Sequence, residues 1–217
     1  MTDSILEHQY RQHEDYFGSG PDELLTLSAN LIDAAKPVLD IGAGQGRHAI
    51  YLARQHYKVQ ALEPVAEACR FISQHSDESR LEIDIRQQEF STFSAKRSSY
   101  SAILIFGLIP LLTWDKITEL LKKTASWIAP VGLLFVTAFT IKDPAFARHS
   151  RKWKMCGKNS FTSPEGEVRT YLETDELKNL LSAYKVVRYR ENWGAEHHHG
   201  DGPLHRHHWA EGLFEVQ

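Results

Sequence analysis

Val38-Leu39-Asp40-Ile41 is a short apolar run that stops at Gly42-Ala43-Gly44-Gln45-Gly46, and a helical pattern begins directly afterwards at Arg47. A buried strand that delivers the chain into a glycine turn and then a helix is half of a βαβ unit, which commits the chain to a parallel sheet. The rest of the sequence keeps the alternation. Residues 58–63, 81–86, 102–106 and 133–137 read as further strands, and 47–56, 65–74, 115–128 and 173–181 as helices, the last with Thr174 as N-cap. Ahead of the first strand, 3–16 and 22–35 read as helices separated by Phe17-Gly18-Ser19-Gly20-Pro21, with Pro21 suited to a helix start. Residues 102–106 are apolar without alternation, as a strand covered on both faces requires. The final strands, 185–193 and 208–216, flank the turn residues Gly200-Asp201-Gly202-Pro203 with no helix between them, so they must run antiparallel. The expected fold is α/β: a mostly parallel seven-stranded sheet with helices on both faces and a C-terminal antiparallel hairpin.

With 217 residues, 42% of them hydrophobic and 24% charged, the chain can bury one full core, so a single domain over 1–217 is expected. Within it, 1–35 reads as a helical cover, 36–140 as the cofactor-binding core, 141–172 as a basic lid or insertion, and 173–217 as a helix plus the hairpin. A net charge of −3 argues against a broad nucleic-acid footprint. The longest apolar stretch, 102–112, is interrupted by Gly107 and Pro110 and falls short of the ~20 residues of a membrane span. Two cysteines make no disulfide framework, and the N-terminus carries acids and histidines where a secretory signal has a positive start and an apolar run. A cytoplasmic monomer or homodimer is expected.

The glycine loop sits where nucleotide-like ligands bind, because glycine lets backbone approach a ligand that a Cβ would repel. A dinucleotide fingerprint needs its third glycine one position later, where this chain has Arg47. Asp40 lies beside the place a pyrophosphate would take, so a zwitterionic or cationic ligand makes better electrostatic sense. S-adenosylmethionine, with an ammonium, a sulfonium and no phosphate, fits. Glu63, followed by Pro64, ends the second strand nineteen positions after Gly44, where a carboxylate can take both ribose hydroxyls. Its alternative role is a helix cap.

Asp40 to Gly46, Glu63 and the terminal hairpin resemble the class I S-adenosylmethionine-dependent methyltransferases, whose fold is Rossmann-like. Phe17-Gly18, Gly44-Gln45-Gly46-Arg47, Tyr51-Leu52-Ala53 and the tail from Tyr189 are similar to the tellurite-resistance methyltransferase family. The resemblance implies S-adenosylmethionine as cofactor and S-adenosylhomocysteine as product, held by Asp40, Gly42, Ala43, Gly44, Gly46, Glu63 and Pro64. It further implies Glu89 at the adenine amino group, Phe90 against the ring, and Phe106 and Gly107 beside the methionine portion, Phe106 having a core role as its alternative. Arg47 faces the cofactor carboxylate or an anionic substrate in this reading, or makes a surface ion pair in the plainer one. Pro130-Val131-Gly132 is similar to the Pro-Gly-Gly turn of the class with its middle glycine replaced. In the narrower family a His-Arg pair follows a Tyr-x-Glu element near the active site. Tyr189-Arg190-Glu191 matches that element, His197-His198 follows it, and Arg47, Glu191, His197 and His198 are the catalytic candidates.

Methyl transfer is an in-line displacement that asks the protein mainly to position an acceptor and exclude water. Arg148, Arg151, Lys152, Lys154 and Lys158 crowd the connection 141–172 without an acid among them. They read first as a solvated basic loop; recruitment of a small anionic acceptor and of a nucleic-acid acceptor are the alternatives. The chain has twelve histidines, and His197, His199, His205 and His207 share one strand face if the hairpin pairs 199 with 205. Four imidazoles would then meet as a metal site, whereas a pairing of 198 with 205 breaks the group up, leaving a polar turn. The resemblance to the tellurite-resistance family implies a soft or anionic small-molecule acceptor, such as a thiol or a selenium or tellurium oxyanion. A metal- or effector-binding module on the same scaffold is the alternative from a different class.

Overall fold

All four residues of β1 (Val38–Ile41) are buried, because strands pair with it on both edges and helices cover both of its faces. In the computed structural model, which describes residues 5–217, β1 pairs in parallel with β2 (Val59–Leu62) on one side. On the other it pairs in parallel with β4 (Tyr100–Ile105). β3 (Ile83–Arg86) extends the sheet beyond β2, and β5 (Ile128–Phe139) extends it beyond β4. β9 (Lys185–Trp193) and β10 (His208–Glu215) complete the seven strands in the order β3-β2-β1-β4-β5-β10-β9, with β10 antiparallel to both neighbours. The hairpin therefore folds its second strand inward and leaves its first at the edge.

The apolar strands still obey the two-residue period. Leu39, Ile41, Ile103, Ile105, Leu134 and Val136 pack on one face, under α5 (Trp114–Trp127) and α7 (Glu176–Leu180). Val38, Ala102, Leu104, Leu133 and Phe135 pack on the other, under α2 (Glu23–Thr26), α3 (Arg47–Arg54) and α4 (Ala66–Ser79). Each fully buried side chain of this size contributes about 1.5–3 kcal/mol relative to exposure. α1 (Ile5–Gln12) lies against α4.

Several boundaries differ from the sequence expectation. Of the helix expected over 3–16, residues 3 and 4 lie outside the described residues and the described part ends at Gln12. The helix expected over 22–35 is only α2 followed by a 3-10 turn, Ala29–Leu31. It breaks so that Leu24, Leu25, Ala29 and Ile32 can all reach the core along a path that runs into β1. Pro21 stands ahead of the cap residue Asp22 and not inside the helix. α7 is capped at Asp175, in left-handed backbone, and not at Thr174. α4 runs five residues beyond its expected end. The connection 141–172 folds into α6 (Pro144–Lys152) and a three-stranded antiparallel sheet of β6 (Lys154–Gly157), β7 (Ser160–Thr162) and β8 (Val168–Thr170). Both cysteines are free thiols, Cys69 buried and Cys156 exposed. Among the described residues no helix is long and apolar enough to cross a membrane.

Candidate active site

The sheet reverses its order between β1 and β4, and the crevice outside their C-terminal ends is where an open α/β sheet takes a ligand. Gly42, Gly44 and Gly46 line its rim with left-handed φ of 70°, 53° and 82°. They are not equivalent. A Cβ on Gly46 would stand 2.7 Å from Ile72, so this glycine serves the packing of α3 on α4. A Cβ on Gly44 would meet only the Tyr10 hydroxyl, at 3.2 Å, so Gly44 faces what covers the loop. Ala43, between them, is buried in the core. Gly107, after β4, has φ 67° and open space where a Cβ would be, and its N–H donates to Thr137 Oγ1 at 2.8 Å.

Asp40 projects to the α3 side of β1 and is 1% exposed. It accepts the Ala49 N–H in the first turn of α3, while its Oδ2 makes no hydrogen bond. Burial pushes its pKa up to about 7 against the pull of Arg47. A dry carboxylate with one unpartnered oxygen at this crevice seeks a cationic ligand. Glu63 ends β2 with its Oε2 on the Gly44 N–H at 2.8 Å and its Oε1 on the Val65 N–H at 3.0 Å. It thus ties the glycine loop to Val65, the residue at the start of α4. Burial raises its pKa, opposed by those two N–H groups. Pro64, next to it, is exposed.

Residues that sequence reasoning passed over build a roof here. Tyr10 is buried above Gly44 and near Glu63, and burial together with the Glu63 charge raises its pKa far above that of a free phenol. Gln45 donates to the His13 carbonyl at 2.6 Å and accepts the Tyr16 N–H at 2.9 Å, clamping the N-terminal segment onto the loop. Tyr16 and Phe17 pack edge-on against Tyr10. The signal for Gln45 was available, since an amide among glycines has little to bond except a second segment. Arg47, expected on a ligand, bonds Asp22 at 2.6 Å and the Gly20 carbonyl at 3.2 Å. His48 Nε2 meets the same Asp22 oxygen at 2.8 Å, and its ring stacks on Phe106 with centres 4.2 Å apart. Burial alone would raise Asp22; the His48 hydrogen bond and the Arg47 charge outweigh it and hold the carboxyl below its usual range. Phe106 is buried in this stack, so its core role is real.

The other expected residues have protein partners or surroundings of their own. Glu89 is exposed, its carboxylate on the Ser91 hydroxyl at 2.9 Å, while Phe90 is buried in the α5-side core. Glu191 accepts the Asp175 N–H and the Tyr189 hydroxyl, both at 2.7 Å, and so braces β9 against the start of α7. His198 is exposed and turned to the Gly202 carbonyl, 2.8 Å away. Arg148, Arg151, Lys152, Lys154 and Lys158 are all exposed, and Lys158 is neutralised by Glu176 at 2.6 Å and Glu173 at 3.2 Å. Arg169, in the same excursion, pairs with Glu167 at 3.5 Å, and its charge lowers the pKa of Tyr16 against the larger, opposite effect of burial.

The hairpin pairs His197 with His205, not His199 with His205. The shift is two residues, so parity is kept and His197, His199, His205 and His207 still share a face. Phe17 and Tyr16 touch His199 with ring centres 5.0 and 5.7 Å apart, so roof and hairpin tip meet.

Residues 38–132 match the family model described as a methyltransferase domain. The ubiquinone biosynthesis O-methyltransferase of Xanthomonas axonopodis pv. citri is 29% identical over 128 residues, 58% of this chain and 53% of that protein. The probable S-adenosyl-L-methionine-dependent methyltransferase TehB of Haemophilus influenzae is 23% identical over 194 residues, 87% of this chain and 61% of TehB. The chain thus spans between half and two thirds of the length of these curated relatives. The crystal structure of Haemophilus influenzae TehB superposes with a TM-score of 0.72 at 18% identity, over 93% of this chain and 64% of that one. The matched segment, the sheet order that frames it and the glycine loop are similar to those of methyltransferase domains, and the fold is that of the solved methyltransferase structure.

Proposed function

We propose that the chain methylates a small molecule with S-adenosylmethionine, and that the acceptor is soft or anionic, such as a thiol or a selenium or tellurium oxyanion. The observation that carries the reading is the unpartnered, buried Asp40 oxygen beside three left-handed glycines at the sheet's switch point. The cofactor supplies an electrophilic methyl on a sulfonium. Asp40 would favour its positive end, Gly42, Ala43, Gly44 and Gly46 its close approach, and Glu63 its ribose hydroxyls. Gly107 leaves room at the end of β4, and Tyr10, Tyr16 and Phe17 exclude water above the loop. No general base is needed for an acceptor that arrives as an anion, which agrees with the engaged state of Glu191. The resemblance of the glycine loop and the tail from Tyr189 to the tellurite-resistance methyltransferase family favours the chalcogen oxyanions within this class, and similarity to the ubiquinone biosynthesis O-methyltransferase makes a phenol the comparison arm.

The test is release of S-adenosylhomocysteine across thiols, selenite, tellurite, phenols, small carboxylic acids and tRNA, with turnover expected on a member of the first three groups. Asp40→Ala and Glu63→Ala should each weaken S-adenosylmethionine at least about tenfold by calorimetry; undiminished binding in both sinks the site assignment. Arg169→Ala should raise the acceptor KM and leave cofactor affinity unchanged.

A further inference from the structure

The tip of the β9–β10 hairpin holds a second constellation that methyl transfer does not use. His197 and His205 form an antiparallel hydrogen-bonded pair, N to O distances 2.8 and 3.0 Å, and His199 and His207 flank it on the same face. One ring nitrogen from each of the four lies within 4.8 Å of all the others. The six ring-centre separations run only from 4.7 to 5.6 Å. A zinc ion bonded to imidazole at about 2.0–2.1 Å sets tetrahedral nitrogens about 3.3 Å apart and ring centres about 5.2 Å apart. The Nε2 atoms of His197 and His199 are already 3.2 Å apart.

Three of the rings are oriented from behind, as metal-bound imidazoles are. Nδ1 of His197 donates to the Ala195 carbonyl at 3.0 Å, and that of His205 to the Pro203 carbonyl at 2.8 Å. Nδ1 of His207 donates to Asp143 Oδ2 at 2.7 Å, and Asp143 is itself buried and caps α6 through the Ala145 N–H. Each such bond puts the proton on Nδ1 and leaves the Nε2 lone pair facing the centre. His207 Nε2 is fully buried and makes no hydrogen bond. A histidine-rich turn that served solubility alone would leave all its rings exposed, as His198 is, without gathering four of them on one face.

We propose that His197, His199, His205 and His207 bind one zinc ion per chain through their Nε2 atoms. Four protein nitrogens leave no open position, so the centre is a structural clip and not a Lewis acid. It fixes the hairpin tip, to which the roof (through His199) and the 141–172 excursion (through Asp143) are attached. The proposal goes beyond the methyl-transfer reading and stands or falls separately from it.

The experiment uses full-length chain made without an affinity tag, stripped with chelator, and titrated with Zn²⁺ by calorimetry and with Co²⁺ by visible absorption. One equivalent of each should bind, and cobalt should show the intense bands of a four-coordinate site. His199→Ala and His205→Ala should each weaken zinc at least about 100-fold, and Asp143→Asn roughly 10–100-fold. His198→Ala, in the same turn but outside the set, should leave zinc affinity unchanged. Far-UV circular dichroism accompanies every variant, and a misfolded alanine variant is replaced by asparagine at that position. Substoichiometric uptake by the parent chain, or equal affinities for His198→Ala and His205→Ala, overturns the proposal.

Discussion

Asp40 is held where an aspartate is costly, and that cost has a measurable pH signature. In an unfolded chain an aspartate loses its proton near pH 4, whereas here burial carries the pKa to about 7. Between those values the folded state binds more protons than the unfolded, so stability falls as pH rises through the window and stays at its lower level above it. Asp40→Asn resembles the protonated form at every pH. The variant should melt above the parent at pH 8, and the gap should close toward pH 4. A cationic ligand reverses the preference by favouring the carboxylate. S-adenosylmethionine affinity of the parent should therefore weaken as pH drops below 7, with release of a proton on binding, while the asparagine variant binds weakly and without that slope. Calorimetry in buffers of different ionisation enthalpy reads both effects. The placement of Asp40 and Glu63 beside the glycine loop was legible in the sequence, because each stands where an apolar run gives way to a turn. Arg47 was legible as a charge but not as the partner of Asp22, since that contact spans twenty-five positions and depends on how residues 13–22 fold back.

At the scale of elements, the boundaries of β1, β2, β4, α3, α5 and the hairpin follow from apolar runs and turn residues, whereas α2 and the 141–172 excursion do not. Their shape is set by what lies beneath them: Phe161 and Tyr171 are buried in the excursion although neither belongs to a periodic pattern. The turn inside β5 offers a test of local backbone chemistry. Val131 sits at φ +54° and is 74% exposed, so a β-branched residue occupies left-handed backbone with little packing to compensate. Non-glycine residues lose roughly 1–2 kcal/mol there, and glycine returns about 0.5–1 kcal/mol of that through unfolded-chain entropy. Val131→Gly should stabilise the chain by about 0.5–1 kcal/mol and raise the Tm by about 1–4 °C. Thermal melts check it, and a lower Tm would refute the strain argument. Neighbouring Gly132 behaves oppositely, because a Cβ there would stand 2.7 Å from the Ala129 carbonyl oxygen.

On the scale of the whole molecule, one sheet supports three peripheral pieces: the N-terminal roof, the 141–172 excursion and the hairpin tip. The roof is joined to the floor of the site by Gln45 and Arg47 and to the tip by the contacts of Phe17 and Tyr16 with His199. Gln45→Ala, which cuts the link without touching Asp40 or Glu63, should accelerate S-adenosylhomocysteine release in stopped-flow displacement while leaving the Tm within about 2 °C. An unchanged off-rate would mean that the roof does not gate the site. Tyr10 lies over Gly44 and the same segment touches the hairpin tip through Tyr16 and Phe17, so on the proposed function an opening that admits the cofactor also disturbs the acceptor's surroundings. Kinetically, the two ligands then cannot exchange independently. The proposed function therefore predicts that the cofactor binds first and its demethylated product leaves last: S-adenosylhomocysteine should compete with S-adenosylmethionine and be noncompetitive toward the acceptor in initial-rate plots.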